Sequence, residues 1–222
     1  MNAPVTEISA TGMAMRTASI LFVFVIFFTG LLSAAYQWTK PAIEASAAEE
    51  KMKLVDEVLP RADYDNLLLS DTLTLPPTPQ LGLDQPTLLY RARRGGQPVG
   101  LVFEAVAPDG YAGKVRLLIA LRADGTLAGV RVTQHKETPG LGDYVDPKKD
   151  KNKAAPWINQ FIGLSLATVT DKGWRVKKDH GRFDYYAGAT VTPRAIVKAV
   201  HKAVQWADPQ RDKLFAENGG KP

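Results

Sequence analysis

Cysteine is absent from the 222-residue chain, which excludes a disulfide framework, a thiolate metal site and a cysteine nucleophile. Histidine is scarce: His135, His180 and His201 lie far apart and form neither an HxxxH nor an HExxH pattern, so no metal ligand set is expected. No serine elbow or paired acidic motif stands out, and no residue is expected to serve as a catalytic acid, base or nucleophile. Long runs of one charge are missing too. The 28 basic and 23 acidic residues are interspersed, and a net charge of +5 spread this way describes a mixed solvated surface with no nucleic-acid partner.

What is present begins with one long apolar run. Residues 17–36 read TASILFVFVIFFTGLLSAAY, with Arg16 before them and no further charge until Lys40. About 20 residues at ~1.5 Å rise span ~30 Å, the hydrocarbon thickness of a bilayer. Ser33, Ala34 and Ala35 also fit a signal-peptide cleavage site. The run is longer than a usual signal core, however, and Tyr36 and Trp38 resemble interfacial anchors, so a retained transmembrane helix over residues 17–38 is expected. Arg16 on one side and Lys40, Lys51 and Lys53 on the other leave its orientation open. The remaining length suits one domain.

Pro41 opens a helical pattern whose apolar stripe of Ile43, Ala47, Leu54, Val55 and Val58 stops at Pro60, predicting a helical stalk over residues 39–66. Residues 67–86, with Pro76, Pro77, Pro79 and Pro86, read as an irregular covering loop. One hairpin is expected from residues 88–93 and 99–106 around Gly95-Gly96, and a second from residues 115–121 and 127–132 around Asp124-Gly125. HKETPGLG, residues 135–142, ends that sheet in the kind of loop that often carries a site. Pro156 starts a short helix whose Trp157 and Phe161 are expected in the core. The last helix is predicted with Thr192 as N-cap and Pro193 in first position, ending near Trp206. Its buried stripe is Ile196, Val197, Val200 and Val204; Arg194, Lys198 and Lys202 face solvent. The fold class expected is α+β: an antiparallel sheet with flanking helices over residues 67–208, then a C-terminal tail over residues 209–222 that is frayed from Glu217.

Directly before the last helix lies DYYAGAT, residues 184–190. Its small residues let the backbone approach a bulky group, and a helix N-terminus favours a phosphate by roughly 0.3–1 kcal/mol when exposed. On the residues alone, a plain glycine turn into a capped helix explains the stretch as well. DYYAGAT is similar to the Dxx(S/T)GAT signature of proteins in which a flavin transferase attaches FMN, through its phosphate, to the final threonine. HKETPGLG matches a second signature of the same group. With GYAGKVRLLIALRADGTLAGV, residues 157–163 and the anchor, the chain resembles the G subunits of Rnf-type (Rsx) electron transport complexes. The C subunit of the sodium-translocating NADH:quinone oxidoreductase shares both signatures and is the near alternative.

This resemblance implies an FMN-binding domain with Thr190 as the phosphoester attachment residue and Asp184 in the sequence the transferase recognises. Gly188 and Ala189 would allow close approach. Glu137, Thr138, Gly140 and Leu141 are expected near the flavin, Thr138 as a hydrogen-bonding group and Leu141 packed on the ring. Ala187 replaces the commoner hydroxyl residue of the signature. Tyr185 and Tyr186 fit either ring stacking or ordinary core packing. The implied function is an electron relay between other subunits of a complex coupling ferredoxin and NAD to ion translocation. Residues 1–16 would be a cytoplasmic arm, and the flavin domain would lie on the periplasmic side of a bacterial inner membrane. A membrane-anchored sensor or binding module without cofactor is the reading from a different class.

Overall fold

The computed structural model describes residues 10–217, and the chain divides into two compact units, residues 1–50 and residues 51–222. Much of the expected arm at residues 1–16, and the tail beyond Glu217, lie outside the described residues. The first unit is made by α1 (Ala10–Asp56), whose last turns belong to the second. The helix begins earlier than residue 17 and runs on through Pro41. Ile20, Phe22, Val25, Phe27 and Leu32 are all more than half exposed, and its apolar stretch is long enough to cross a membrane.

The second unit is built on one antiparallel sheet in the order β1 (Thr72–Leu75), β2 (Thr87–Arg94), β3 (Gln97–Gly110), β4 (Gly113–Arg122) and β5 (Leu127–Gln134). Each strand pairs with its sequence neighbour, so the two predicted hairpins join through β3 and β4 into one meander. Residues 67–86 are more regular than predicted, since they contain β1, which pairs Leu73 with Leu89. Four residues just before a proline cluster leave too short an alternation to read as a strand.

Both faces of the sheet are covered, which is why β4 reads as a nearly continuous apolar run. Leu117, Ile119 and Leu121 enter the main core with Leu101 and Phe103; Leu118 and Ala120 enter a second cluster with Val55, Val58, Leu59, Tyr64 and Leu68. The compact unit therefore includes residues that the pattern assigned to a stalk. Gly129 makes this possible: a Cβ there would meet the backbone carbonyl oxygen of Val58 at 2.7 Å.

Over the main core lies α2 (Val191–Ala207), which buries Ile196, Val197, Val200 and Val204 and exposes Arg194, Lys198 and Lys202 as its periodicity predicts. Its cap is Thr190 rather than Thr192, and Pro193 sits two positions further in, still within the first turn where no amide hydrogen is needed. The described part of the expected tail, residues 209–217, folds as well. α3 (Arg211–Ala216) buries Leu214 and Phe215, held by the Arg93 guanidinium donating to the Phe215 carbonyl at 2.7 Å and by Arg91 donating to that of Glu217. Asp71 accepts from both arginines, at 2.6 and 2.8 Å.

His201 of α2 stacks on Trp174 with ring centroids 5.1 Å apart and planes 4° from parallel. Burial lowers its pKa from the ordinary 6.5, and Asp171, 3.3 Å from Nε2, offsets this only in part. The unfolded chain therefore binds the proton more readily than the native one. Stability should be full above about pH 6.5 and fall as pH drops below that value toward the depressed native pKa. Melting temperatures of the solubilised chain across this window should decline more steeply for wild type than for His201→Gln.

Candidate functional site

Three loops meet at the N-terminal end of α2. The first, residues 135–145, leaves β5 and closes in a 3-10 turn at Gly142–Val145. Glu137 of this loop is buried, at 4% exposure. Its carboxylate accepts the Thr192 hydroxyl at 2.5 Å and the Ala112 N–H at 3.1 Å, tying the β3–β4 tip to the start of α2. Thr138 is exposed, Gly140 has a φ of 76° and donates its N–H to Asp143 at 2.8 Å, and Leu141 is half exposed.

The second loop is residues 184–190. Asp184 is exposed and its carboxylate pairs with Lys177, while its backbone carbonyl accepts the Trp157 indole N–H at 2.6 Å. Tyr186 packs against Tyr144 with centroids 4.1 Å apart. Tyr185 packs against the main core. Gly188 holds a φ of 83°, which only glycine adopts without strain, and nothing lies within 4 Å of where its Cβ would be. The chain thus turns with an open flank, aided by the Ala189 N–H donating to the Tyr186 carbonyl at 3.0 Å.

Thr190 follows as the N-cap of α2, at 8% exposure, and its side chain makes no capping hydrogen bond. That is unusual for a threonine in this position, whose hydroxyl ordinarily accepts from the first turn.

The third loop, residues 146–155, supplies groups that the signatures do not contain. Lys149, Lys151 and Asn152 join Leu141, Tyr144, Tyr186, Ala187 and Ala189 around a cavity of about 480 Å³. That is within the usual range for a small-molecule site. Burial pushes the Tyr144 hydroxyl up to about 12, so it stays protonated and donates to the Ala189 carbonyl at 3.3 Å while accepting the Tyr186 N–H at 3.4 Å. Of the residues expected at the site, Gly140, Leu141 and Ala189 line this cavity, Thr190 and Gly188 flank Ala189 in the chain, Glu137 is buried, and Asp184 is exposed. Sequence reading missed the lysines because KKDKNK at residues 148–153 looks like an ordinary solvated run.

The residues fit a flavin nucleotide. Aromatic and aliphatic walls suit the ring, and α2 presents amide hydrogens and its positive end for a phosphate. Residues 110–205 match the FMN-binding domain family, and residues 11–58 match the RnfG N-terminal region family. A G subunit of the ion-translocating oxidoreductase complex from Pseudomonas aeruginosa is 44% identical over 202 residues, covering 91% of this chain and 92% of its own. The chain belongs to the RnfG family. Members from Pseudoalteromonas atlantica and Vibrio cholerae are 39% and 37% identical, each over 90% of this chain and 91% and 92% of their own. The matched FMN-binding domain holds β4, β5, all three loops and most of α2, so FMN is the cofactor of this RnfG-family chain. With α1 in the matched N-terminal region, the chain is membrane-anchored.

Proposed function

We propose that FMN is esterified through its phosphate to Thr190 Oγ, and that the protein relays electrons as the G subunit of a membrane complex coupling ferredoxin and NAD to ion translocation. The single observation that carries this is Thr190 itself: an N-cap threonine beside the cavity-lining Ala189, with a hydroxyl not used for capping. Bound FMN exchanges electrons singly or in pairs, and the protein supplies placement and tuning.

Each nearby group has a task that follows from its place. The first amide hydrogens of α2 lack intrahelical partners and would hold the phosphate. Glu137, through Thr192, fixes the helix start that presents Thr190. Gly188 leaves the flank open for the nucleotide. Tyr186 on Tyr144 and Leu141 offer apolar surface that keeps water from the ring. Thr190 is buried, at 8% exposure, so attachment requires its hydroxyl to become reachable during maturation by a flavin transferase, whose recognition sequence would include the exposed Asp184.

In this reading the anchor lies in the bacterial inner membrane and the flavin domain on its periplasmic side, where a covalent tether would prevent loss of the cofactor. No Asp, Glu, Lys, Arg or His lies between Arg16 and Lys40, so the translocated ion passes through other subunits. The chain produced together with a flavin transferase should give a band on a denaturing gel that fluoresces under ultraviolet light. A dark band from cells shown to contain active transferase would contradict the proposal.

A further inference from the structure

Asp150 is fully buried between two lysines that are exposed. Its Oδ2 accepts the Trp157 N–H at 2.6 Å; its Oδ1 accepts the Asn152 N–H at 2.9 Å and the Tyr186 hydroxyl at 3.1 Å. The same loop is closed at its start by the Asp146 carbonyl, which accepts from the N–H groups of Lys149 and Asp150 at 2.8 and 3.0 Å. Lys153 Nζ donates across it to the Lys148 carbonyl at 2.7 Å. So many ties leave the loop little freedom, and with the Asp150 side chain turned inward its two neighbours stand on the cavity wall. Neither Lys149 nor Lys151 has a carboxylate within ion-pair distance among the described residues. The cavity's own acid is Asp143, occupied by the Gly140 N–H. Two cationic side chains on a tethered backbone therefore line the space against one anion.

We propose that Lys149 and Lys151 are a cation pair on the cavity wall that holds the negative charge the flavin ring gains on reduction, and so raises its midpoint potential. This rests on the placement of FMN given above. There the phosphate is served by α2, whereas the lysines belong to a separate loop. Uptake of two electrons and one proton from an upstream electron donor, or from dithionite in a titration, leaves the ring with one added negative charge. In a partly enclosed site, cations stabilise that state more than they would in water.

The test is a reductive titration, with redox mediators, of the detergent-solubilised flavinylated chain carrying Lys149→Gln and Lys151→Gln. At a fixed ambient potential the reduced-to-oxidised ratio should fall about tenfold from wild type, which is about 30 mV for a two-electron couple. Added salt should narrow the difference. Lys148→Gln, on the same loop but outside the cavity lining, should keep the wild-type potential, and covalent fluorescence per chain should be equal in all variants. An unchanged potential in the fully flavinylated double variant overturns the cation pair, as does an equal shift from Lys148→Gln. Loss of covalent flavin from a double variant that melts like wild type also overturns it and assigns the lysines to attachment. A wild-type chain without covalent flavin removes the placement beneath it and overturns both.

Discussion

Replacing Thr190 with alanine should abolish covalent flavin completely while leaving the fold in place. The hydroxyl makes no capping bond, so its removal costs the native state little, well below the roughly 1 kcal/mol that loss of a working cap incurs. Chemistry, by contrast, is all or none, because no ester forms without an oxygen at that position. Thr190→Ser keeps the oxygen and should retain fluorescence on a denaturing gel, at a lower level if the β-methyl group helps aim the hydroxyl. Neighbouring Thr192 offers no substitute, since its hydroxyl already donates to Glu137 at 2.5 Å and is 1% exposed. Flavin retained by Thr190→Ala and lost by Thr192→Val would move the attachment to the other threonine.

Glu137→Ala should be the most destabilising single change at the site. The carboxylate accepts from a hydroxyl and a backbone N–H in a buried place, so its removal leaves both donors without partners. Bonds to charged groups and the penalty for stranded donors together come to about 3 kcal/mol. For a unit of this size that lowers the melting temperature by about 9 °C. Glu137→Gln keeps the shape and one acceptor oxygen, and the Thr192 hydroxyl can rotate to accept from the amide, so about 1 kcal/mol is expected. Thermal melts of the three chains at equal detergent and salt would decide this. Equal stability of the alanine variant and wild type would remove Glu137 from its role as the fastener of α2.

This clasp also marks the limit of what could be read from the chain alone. The HKETPGLG stretch is visible as a loop with a signature, yet the partner of its glutamate lies 55 residues away and no local pattern announces it. Periodicity revealed β2 to β5 and the buried stripe of α2, because each is long enough for alternation or a 3.6-residue repeat to accumulate. It missed β1, with four residues, and α3, with six, whose stability comes from Arg91, Arg93 and Asp71 elsewhere in the chain. The start of α2 was displaced by two residues for a simple reason: Thr190 and Thr192 are equally good caps, and proline fits anywhere in a first turn.

Likewise, the cavity's Gly140, Leu141 and Ala189 were legible through their motifs, whereas Lys149 and Lys151 were not. Their importance arises from Asp150 turning inward between them, a fact of burial rather than of composition. Asp184 shows the converse. Its signature position is plain in sequence, but its side chain is exposed, pairs with Lys177 and does not line the cavity.

The decisive measurement is the mass of the protein isolated from its native membrane, followed by fragmentation of the peptide that contains residues 184–194. Covalent attachment predicts one added FMN less one water, carried on Thr190. An unmodified peptide, or the same added mass on any other residue, would contradict it.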